Sequence, residues 1–293
     1  MRPASESPVA ELIVLDLDGG NMLEACLASI DSQVVAPERV IVFDNGSAVS
    51  VADRVGGEYR FDLVVERSET NIGFTGGINR AMERVSGAYV GWINNDALLD
   101  PEWLKVLSHA LDRDPNLGAV QARIRRDDQL LDGAGIEIES GRFVQAGYRA
   151  PIESYIPFRP AWGVSATAAL YRVAALRDVA LGPDILHPEF FAWYEDVELC
   201  ARLHDGGWGT EVVRQVLATH AGSQSSVKIG ERAIVLRTRN RYWTARLHPG
   251  VGRVGALLRE DVRLLARAIL RGRFAHVGLL IRGVFAGLAA RIP

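Results

Sequence analysis

Glu195 and Asp196 are adjacent carboxylates placed between an aromatic run, Phe190-Phe191-Ala192-Trp193-Tyr194, and a segment with helical period. Val197, Leu199, Cys200 and Leu203 give that segment its apolar face, Arg202 and His204 its polar one, and Gly206-Gly207 ends it. Acids in a first helical turn have an ordinary use, complementing the helix dipole and accepting from free backbone N–H groups. The aromatic wall points to another use, because it suits an apolar ring face better than a solvated helix end. A carboxylate pair beside such a wall can do acid–base chemistry. The two acids lie about 100° apart on one turn, so the spacing predicts that only one faces a cleft.

Four more polar clusters each follow a short apolar run. Asp16, Asp18, Gly19 and Gly20 come with LIVLDL (12–17), and Asp44, Asn45, Gly46 and Ser47 follow RVIVF (39–43). Asn71, Gly73, Gly76 and Gly77 follow DLVVE (62–66), and Asn94, Asn95 and Asp96 follow AYVGWI (88–93). An Asp accepts from a nucleobase imide or a ribose hydroxyl, and Gly lets backbone N–H groups approach phosphate, so these loops suit a bound nucleotide. Asp44 is the candidate base contact, although Asp-Asn-Gly-Ser is also strong turn chemistry. Asp96, in the turn off an apolar strand, can hold a hard divalent cation whose other ligands are phosphate oxygens and water; the alternative is a structural turn carboxylate. Asp100 and Pro101 read as a helix N-cap and first position. His220 reads as a strand-edge residue or a ligand. NIGFTGGIN is neither GxGxxG nor a Walker motif, which weakens a dinucleotide enzyme and a P-loop NTPase.

Positioning these clusters requires alternating strands and helices. The apolar runs are interleaved with helical segments near 22–32, 48–55 and 76–85, which predicts βαβ units, a mostly parallel sheet, and one cleft beyond the strands' carboxyl ends. Residues 114–165 are irregular and rich in Gly and Pro, as loops and hairpins covering a site would be. VSATAALY and RVAALRD, within 163–178, read as a strand feeding a helix, and GWGTEVVRQVLATH as a closing strand ending at His220. A helix is predicted over about 228–247, closed by Pro249 and Gly250.

The chain has 293 residues, 48% hydrophobic and 24% charged, enough for one main domain over 1–222 and a helical region over 223–293. A net charge of -3 and a pI near 6.1 give no global basic field, which excludes nucleic acid as a default partner. Cys26 and Cys200 lie on apolar helix faces without zinc or CxxC spacing, which fits a reducing compartment. MRPASESPVA lacks a basic region followed by an apolar one, so no secretory leader is expected and a cytoplasmic location is. The last 43 residues carry eight arginines, two acids and no lysine, spaced by apolar residues. Arg282 interrupts HVGLLIRGVFAGLAA, which argues against a spanning helix. The tail therefore reads as a pair of basic amphipathic helices lying on an anionic membrane surface, or packed on the domain or on a second subunit in a homodimer.

In this order the pieces resemble the inverting family 2 glycosyltransferases of the GT-A fold, particularly the bacterial branch containing rhamnosyltransferases of cell-surface polysaccharide assembly. The resemblance covers about residues 10–245. It rests on the first-strand Gly-rich turn, VFDNGS, TNIGFTGGIN, WINNDALLDPEWL, DGAG, VSATAALYR, FFAWYEDVELCARLHDGGW and ATHAGSQS, in register. It implies an α/β, Rossmann-like sheet flanked by helices with a C-terminal helical tail. It also implies a nucleoside-diphosphate sugar donor and a saccharide or lipid-linked acceptor, which attachment by the Arg-rich tail would place on the inner face of the plasma membrane. By residue it implies that Asp44 contacts the nucleobase, that Asn71 and Gly73 line the nucleotide pocket, and that Asp96 holds Mg2+ or Mn2+ on the diphosphate with His220 near it; Asp16, Asp18, Asn45, Phe74 and Asn95, in the same strand-end turns, join them as candidate nucleotide contacts. Asp196, rather than its neighbour Glu195, matches the general base, and Trp193 and Tyr194 would floor the acceptor sugar and desolvate that base. The family's Asp-x-Asp is here Asn94-Asn95-Asp96, and the first-strand end reads Asp16-Leu17-Asp18 where the family has Asn or Thr with Tyr before another Asn. The competing readings are a sugar nucleotidyltransferase, whose N-terminal Gly-rich loop with Arg and Lys is missing, and a non-catalytic nucleotide- or sugar-binding module, favoured only by the lost first acid.

Overall fold

The structure, a computed structural model, describes residues 9–126, 129–157, 160–222 and 229–289. Strands β1 (Ala10–Asp16), β2 (Arg39–Asn45), β3 (Asp62–Ser68) and β4 (Tyr89–Asn94) run parallel in the order β3-β2-β1-β4. Helices α1 (Asn21–Asp31) and α2 (Gly73–Met82) cross over between them. β1, β2 and β4 are near-continuous apolar runs because both sheet faces are covered, with Leu12, Val14, Val40 and Val42 in one core and Ile13, Ile41, Val90 and Trp92 in the other.

Beyond β4 the sheet changes direction. β10 (Ala168–Arg172) is antiparallel to β4 and to β6 (Leu117–Arg125); β11 (Gly209–His220) is parallel to β6, and β5 (Ala97–Leu99) is antiparallel to β11. β7 (Leu131–Gly133) pairs with β6, and β8 (Ile136–Glu139) with β9 (Arg142–Gln145) forms a separate hairpin. Helices α3 (Trp103–Arg113), α4 (Val173–Asp178) and α5 (Glu195–Asp205) complete the domain. This is the expected mixed α/β fold, a central sheet flanked by helices with helices at its C-terminal end.

Several local expectations are corrected. The helix near 48–55 is a single 3-10 turn, Val51–Asp53, because Asp44 has captured the Val51 N–H. α3 starts at Trp103, not Pro101, with Glu102 at its N-cap; Asp100 holds the turn before it, its Oδ1 accepting from Glu102 N (3.1 Å) and its carbonyl from Trp103 N (2.9 Å). The strand placed from Val164 begins at Ala168, since Ser165 N donates to Gln121 Oε1 (2.6 Å) and Ala166 N to Asp196 Oδ2 (3.4 Å) instead of to a ladder. β6, inside the stretch read as irregular, is a core strand whose buried Ala119, Val120, Ala122 and Ile124 lie between β10 and β11.

At the C-terminal end lie α6 (Arg232–Leu247), α7 (Val254–Leu270) and α8 (Phe274–Ala289). Residue 228, where α6 was expected to start, and Arg291 of the arginine series lie outside the described residues. α8 lies along α6 closely enough that a Cβ at Gly283 would meet Thr238 Cβ at 2.5 Å and one at Gly287 Tyr242 Cβ at 2.6 Å. The two acids of this region turn inward: Asp261 accepts from Arg241 and from Tyr242 (2.5 Å), and Glu260 from Arg142 (3.2 Å). The outward face is apolar, with Val262 65%, Leu270 86%, Phe274 70% and Phe285 67% exposed, and arginines stand beside these residues. Among the described residues no helix is long and apolar enough to cross a membrane.

Candidate active site

A cavity of about 450 Å³ opens beyond the carboxyl ends of β1, β2 and β4. It is bordered by Asn45, Asn71, Gly73, Phe74, Asn95, Asp96, Trp193, Tyr194, Glu195, Asp196 and His220. Most of the residues singled out in the sequence therefore share one space, as the strand-end rule requires.

The wall formed by β2 and α2 is knitted by amides. Asn45 Nδ2 donates to Asn71 Oδ1 (3.2 Å) and to the Gly73 carbonyl (3.0 Å), Ile72 N donates to Asn45 Oδ1 (2.9 Å), and Gly73 N to Asn71 Oδ1 (2.9 Å). Gly73 has φ +83°, and a Cβ there would lie 2.4 Å from the Phe191 carbonyl oxygen, so this position needs glycine on both counts.

Asp16, Asp18 and Asp44 stand outside this lining and hold loops. Asp16 accepts from Asn95 Nδ2 (2.6 Å), Arg54 (3.1 Å), Gly19 N (3.3 Å) and Ser47 Oγ (3.4 Å). Asp18 Oδ1 accepts from Ala48 N at 2.8 Å. Asp44 is fully buried and accepts from Ser47 N (2.8 Å), Val51 N (3.0 Å) and Arg67. Burial opposes charge on Asp44, but these donors outweigh it and hold the carboxyl below its ordinary range.

At the next strand end, the β5–β11 pairing sets Ala97 opposite His220 and brings His220 to Asp96. His220 Nε2 is 3.1 Å from Asp96 Oδ1, and Nδ1 is 2.8 Å from Asp132 Oδ2, which also neighbours Arg126 (3.2 Å). Burial works against charge on the imidazole, but the Asp132 and Asp96 carboxylates lift its pKa to about 9. Among the described residues no group of three or more His, Cys, Asp and Glu side chains forms a metal cage. The donor set fits a cation in part: a cation that displaced the proton between His220 Nε2 and Asp96 Oδ1 would take both as ligands, and the far nitrogen is already held by Asp132, as metal-bound histidines usually are. Further ligands would come from a bound diphosphate.

Opposite stands α5. Glu195 and Asp196 both border the cavity, where helical spacing predicted one. Burial, then the neighbouring Asp196 charge, pushes Glu195 up to about 8, and its Oε2 has no hydrogen-bond partner among the described residues. Asp196 accepts from Val197 N (2.8 Å) and Ala166 N (3.4 Å), and burial raises it above the ordinary carboxylate range. Burial and their mutual repulsion thus favour a proton on this pair, Glu195 the more strongly raised through its Asp196 neighbour. Of the aromatic wall only Trp193 and Tyr194 reach the cavity; Phe190 is buried against Trp243 (5.7 Å), and Phe191 lies under Arg232 (4.2 Å).

Asp132, Arg126, Tyr148 and Arg237 also line the cavity and were not singled out. Asp132 was within reach, since it opens DGAG. Arg237 comes from α6 and stacks over Trp193 at 4.6 Å, a pairing no local pattern announces.

The family model described as Glycosyl transferase family 2 matches residues 18–180, more than half of the chain. No curated protein sequence matches it. Among solved structures the chain is similar to S. aureus TarS 1-349 (18% identity, TM-score 0.54), covering 78% of this chain and 64% of that one. It is also similar to the mannosyltransferase PcManGT from Pyrobaculum calidifontis in complex with GDP-Man and Mn2+ (15% identity, TM-score 0.60), over 99% of this chain and 77% of that one. GalNAc-T7 with UDP, GalNAc and Mn2+ is similar at 10% identity and a TM-score of 0.63, over 83% and 48%. The chain thus spans less than two thirds of the TarS and GalNAc-T7 chains, and at these identities the likeness is one of fold.

Proposed function

The chain belongs to glycosyl transferase family 2, and from that premise we propose that it is an inverting transferase moving a sugar from a nucleoside diphosphate to an acceptor hydroxyl. The observation that carries this reading is one cavity with a desolvated carboxylate, Asp196, on one wall and the Asp96–His220 pair on another. Asp196 takes the acceptor hydroxyl proton as that oxygen bonds to the anomeric carbon; the bond to the diphosphate breaks on the opposite face, and its electron pair leaves with the nucleoside diphosphate. The raised Glu195 opposes a second full negative charge beside Asp196. Trp193 and Tyr194 floor the acceptor sugar.

Asn45, Asn71, Gly73, Phe74 and Asn95 would bound the nucleotide, with Asp16, Asp18 and Asp44 fixing the loops that carry them. Asp96 and His220 would hold Mg2+ or Mn2+, which when bound offsets charge on the departing diphosphate. The complex of PcManGT with GDP-Man and Mn2+ and that of GalNAc-T7 with UDP, GalNAc and Mn2+ support a divalent metal here by analogy of fold. Deoxythymidine diphosphate rhamnose is the first donor to test and a uridine diphosphate sugar the second. The apolar, arginine-edged faces of α7 and α8 support a peripheral position on an anionic inner membrane surface, where a lipid-linked acceptor of cell-surface polysaccharide assembly would be met.

Calorimetry with a panel of nucleoside diphosphates and nucleotide sugars, with and without Mg2+ or Mn2+, tests the reading. One nucleotide is expected to bind in a metal-dependent way, and Asp96→Ala to abolish that dependence. Binding of none overturns it.

A further inference from the structure

α6 lies beyond residues 18–180, yet it underlies the loop that presents Asp196. Asn240, fully buried on α6, has its Nδ2 at 2.9 Å from the Phe190 carbonyl, 2.9 Å from that of Ala192 and 2.8 Å from that of Trp193. Its Oδ1 accepts from Arg239 Nε (2.9 Å), and the Arg239 guanidinium donates to the Glu189 (2.6 Å) and Phe190 (3.2 Å) carbonyls.

The loop needs this support. Phe191, Trp193 and Tyr194 have φ of 65°, 68° and 69°, in the left-handed region that side-chain-bearing residues avoid. Such residues persist where surrounding contacts over-determine them, and they cluster at functional sites. Here the chain turns tightly enough to aim three carbonyls at one point, and a small neutral donor is what that point accepts. An Asp there would set a carboxylate against carbonyl oxygens, and an Ala would take this donor from the Ala192 and Trp193 carbonyls, while that of Phe190 keeps Arg239 and Ala192 N. From the other side α2 binds the same loop: Thr75 N donates to the Phe191 carbonyl (3.2 Å) and Thr75 Oγ1 to that of Pro188 (3.1 Å). The loop is therefore clamped between the helix that starts at Gly73 and a helix remote in sequence, and its last residues are those that border the cavity.

We propose that Asn240 is a positioning residue for Asp196: its amide fixes the left-handed turn through Trp193 and Tyr194 and so sets where α5 begins and where its first-turn carboxylate points. This rests on the reading of Asp196 as the base. It moves the functional boundary of the site past the matched residues and into the C-terminal helices.

The test compares Asn240→Ala and Asn240→Ser with Tyr242→Phe, which loosens the same helix at its bond to Asp261 (2.5 Å). Amide hydrogen exchange over 190–196 is expected to speed by about ten-fold or more in Asn240→Ala and to stay at the wild-type rate in Tyr242→Phe. Turnover of the donor identified by calorimetry is expected to fall by about 100-fold, with its KM and the affinity for its nucleoside diphosphate close to wild type. Asn240→Ser, which keeps one donor, should fall in between, and it replaces the Ala variant if that one does not fold. Unchanged exchange over 190–196, or a loss of turnover no greater than in Tyr242→Phe, would overturn the proposal. The exchange measurement needs no substrate, so failure to bind any nucleotide would refute the base assignment while exchange still decides whether Asn240 holds the loop.

Discussion

The two walls of the cavity are built on opposite plans. On the wall assigned to the donor, carboxylates turn away from the space and into the protein: Asp16 and Asp44 are both fully buried, and their oxygens are occupied by backbone N–H groups, Ser47, Asn95 and arginines. On the wall that carries α5, assigned to the base, the carboxylates Glu195 and Asp196 border the space, and the chain before them is held by others: Asn79, Asn240, Thr75 and the Arg239 guanidinium. A charge spent on holding a loop is unavailable to a ligand; a charge left exposed to a cavity must have its loop held by something else. The comparison separates acids that shape the site from acids that can react in it.

The sharpest way to break that comparison is Asp196→Asn. If the base wall carries the reactive charge, turnover falls by about 10²–10⁴-fold while nucleotide affinity stays near wild type, as single-turnover kinetics and calorimetry would record. A comparable loss of nucleotide binding would show that the two walls are not chemically distinct.

A second effect follows from the raised Glu195 carboxyl. Glu195 rises from 4.5 to about 8 on folding, so between those values the folded chain holds a proton that the unfolded chain has lost. Stability contributed by protonated Glu195 is therefore fully present below pH 4.5 and drains away as pH rises to about 8, at a slope of up to about 1.4 kcal/mol per pH unit. Glu195→Gln, which cannot ionise, is expected to flatten this decline in urea-melt midpoints measured across the window. An identical decline in the variant would place the proton elsewhere.

The same contrast explains what could be read from the sequence. Strand runs such as LIVLDL and RVIVF, and the polar turns after them, carry local signals, and the structure does collect Asn45, Asn71, Gly73, Asn95 and Asp96 around one space. The direction in which an Asp turns is not local. Asp44 looks the same as a turn former and as a ligand-facing acid until Arg67, 23 residues away, is seen to claim it. β6 does alternate, Val120, Ala122 and Ile124 against Gln121, Arg123 and Arg125, but it sits in a stretch whose Gly- and Pro-rich remainder reads as loops, and its pairing with β10 and β11 is not local. The left-handed residues Phe191, Trp193 and Tyr194 carry no local signal either, since the amide that binds their loop comes from Asn240, 48 residues from Ala192.

The smallest effect tests the donor wall. Asp44→Asn keeps the shape of the side chain, removes the charge that Arg67 engages, and turns an NH2 toward one of the donors that Asp44 satisfies. The expected loss is about 1.5 kcal/mol of stability at neutral pH, read from chemical denaturation. The sign of its pH dependence is fixed by the cause of the depressed Asp44 pKa: the folded state favours the ionised acid, so its advantage holds above the ordinary carboxylate range and fades as pH falls through the folded value. Wild type and Asp44→Asn should therefore converge in acid, the opposite trend to the Glu195 pair. Were Asp44→Asn instead as stable as wild type but unable to bind nucleotide, Asp44 would be a ligand-facing acid and the contrast between the walls would fail at its best-determined residue.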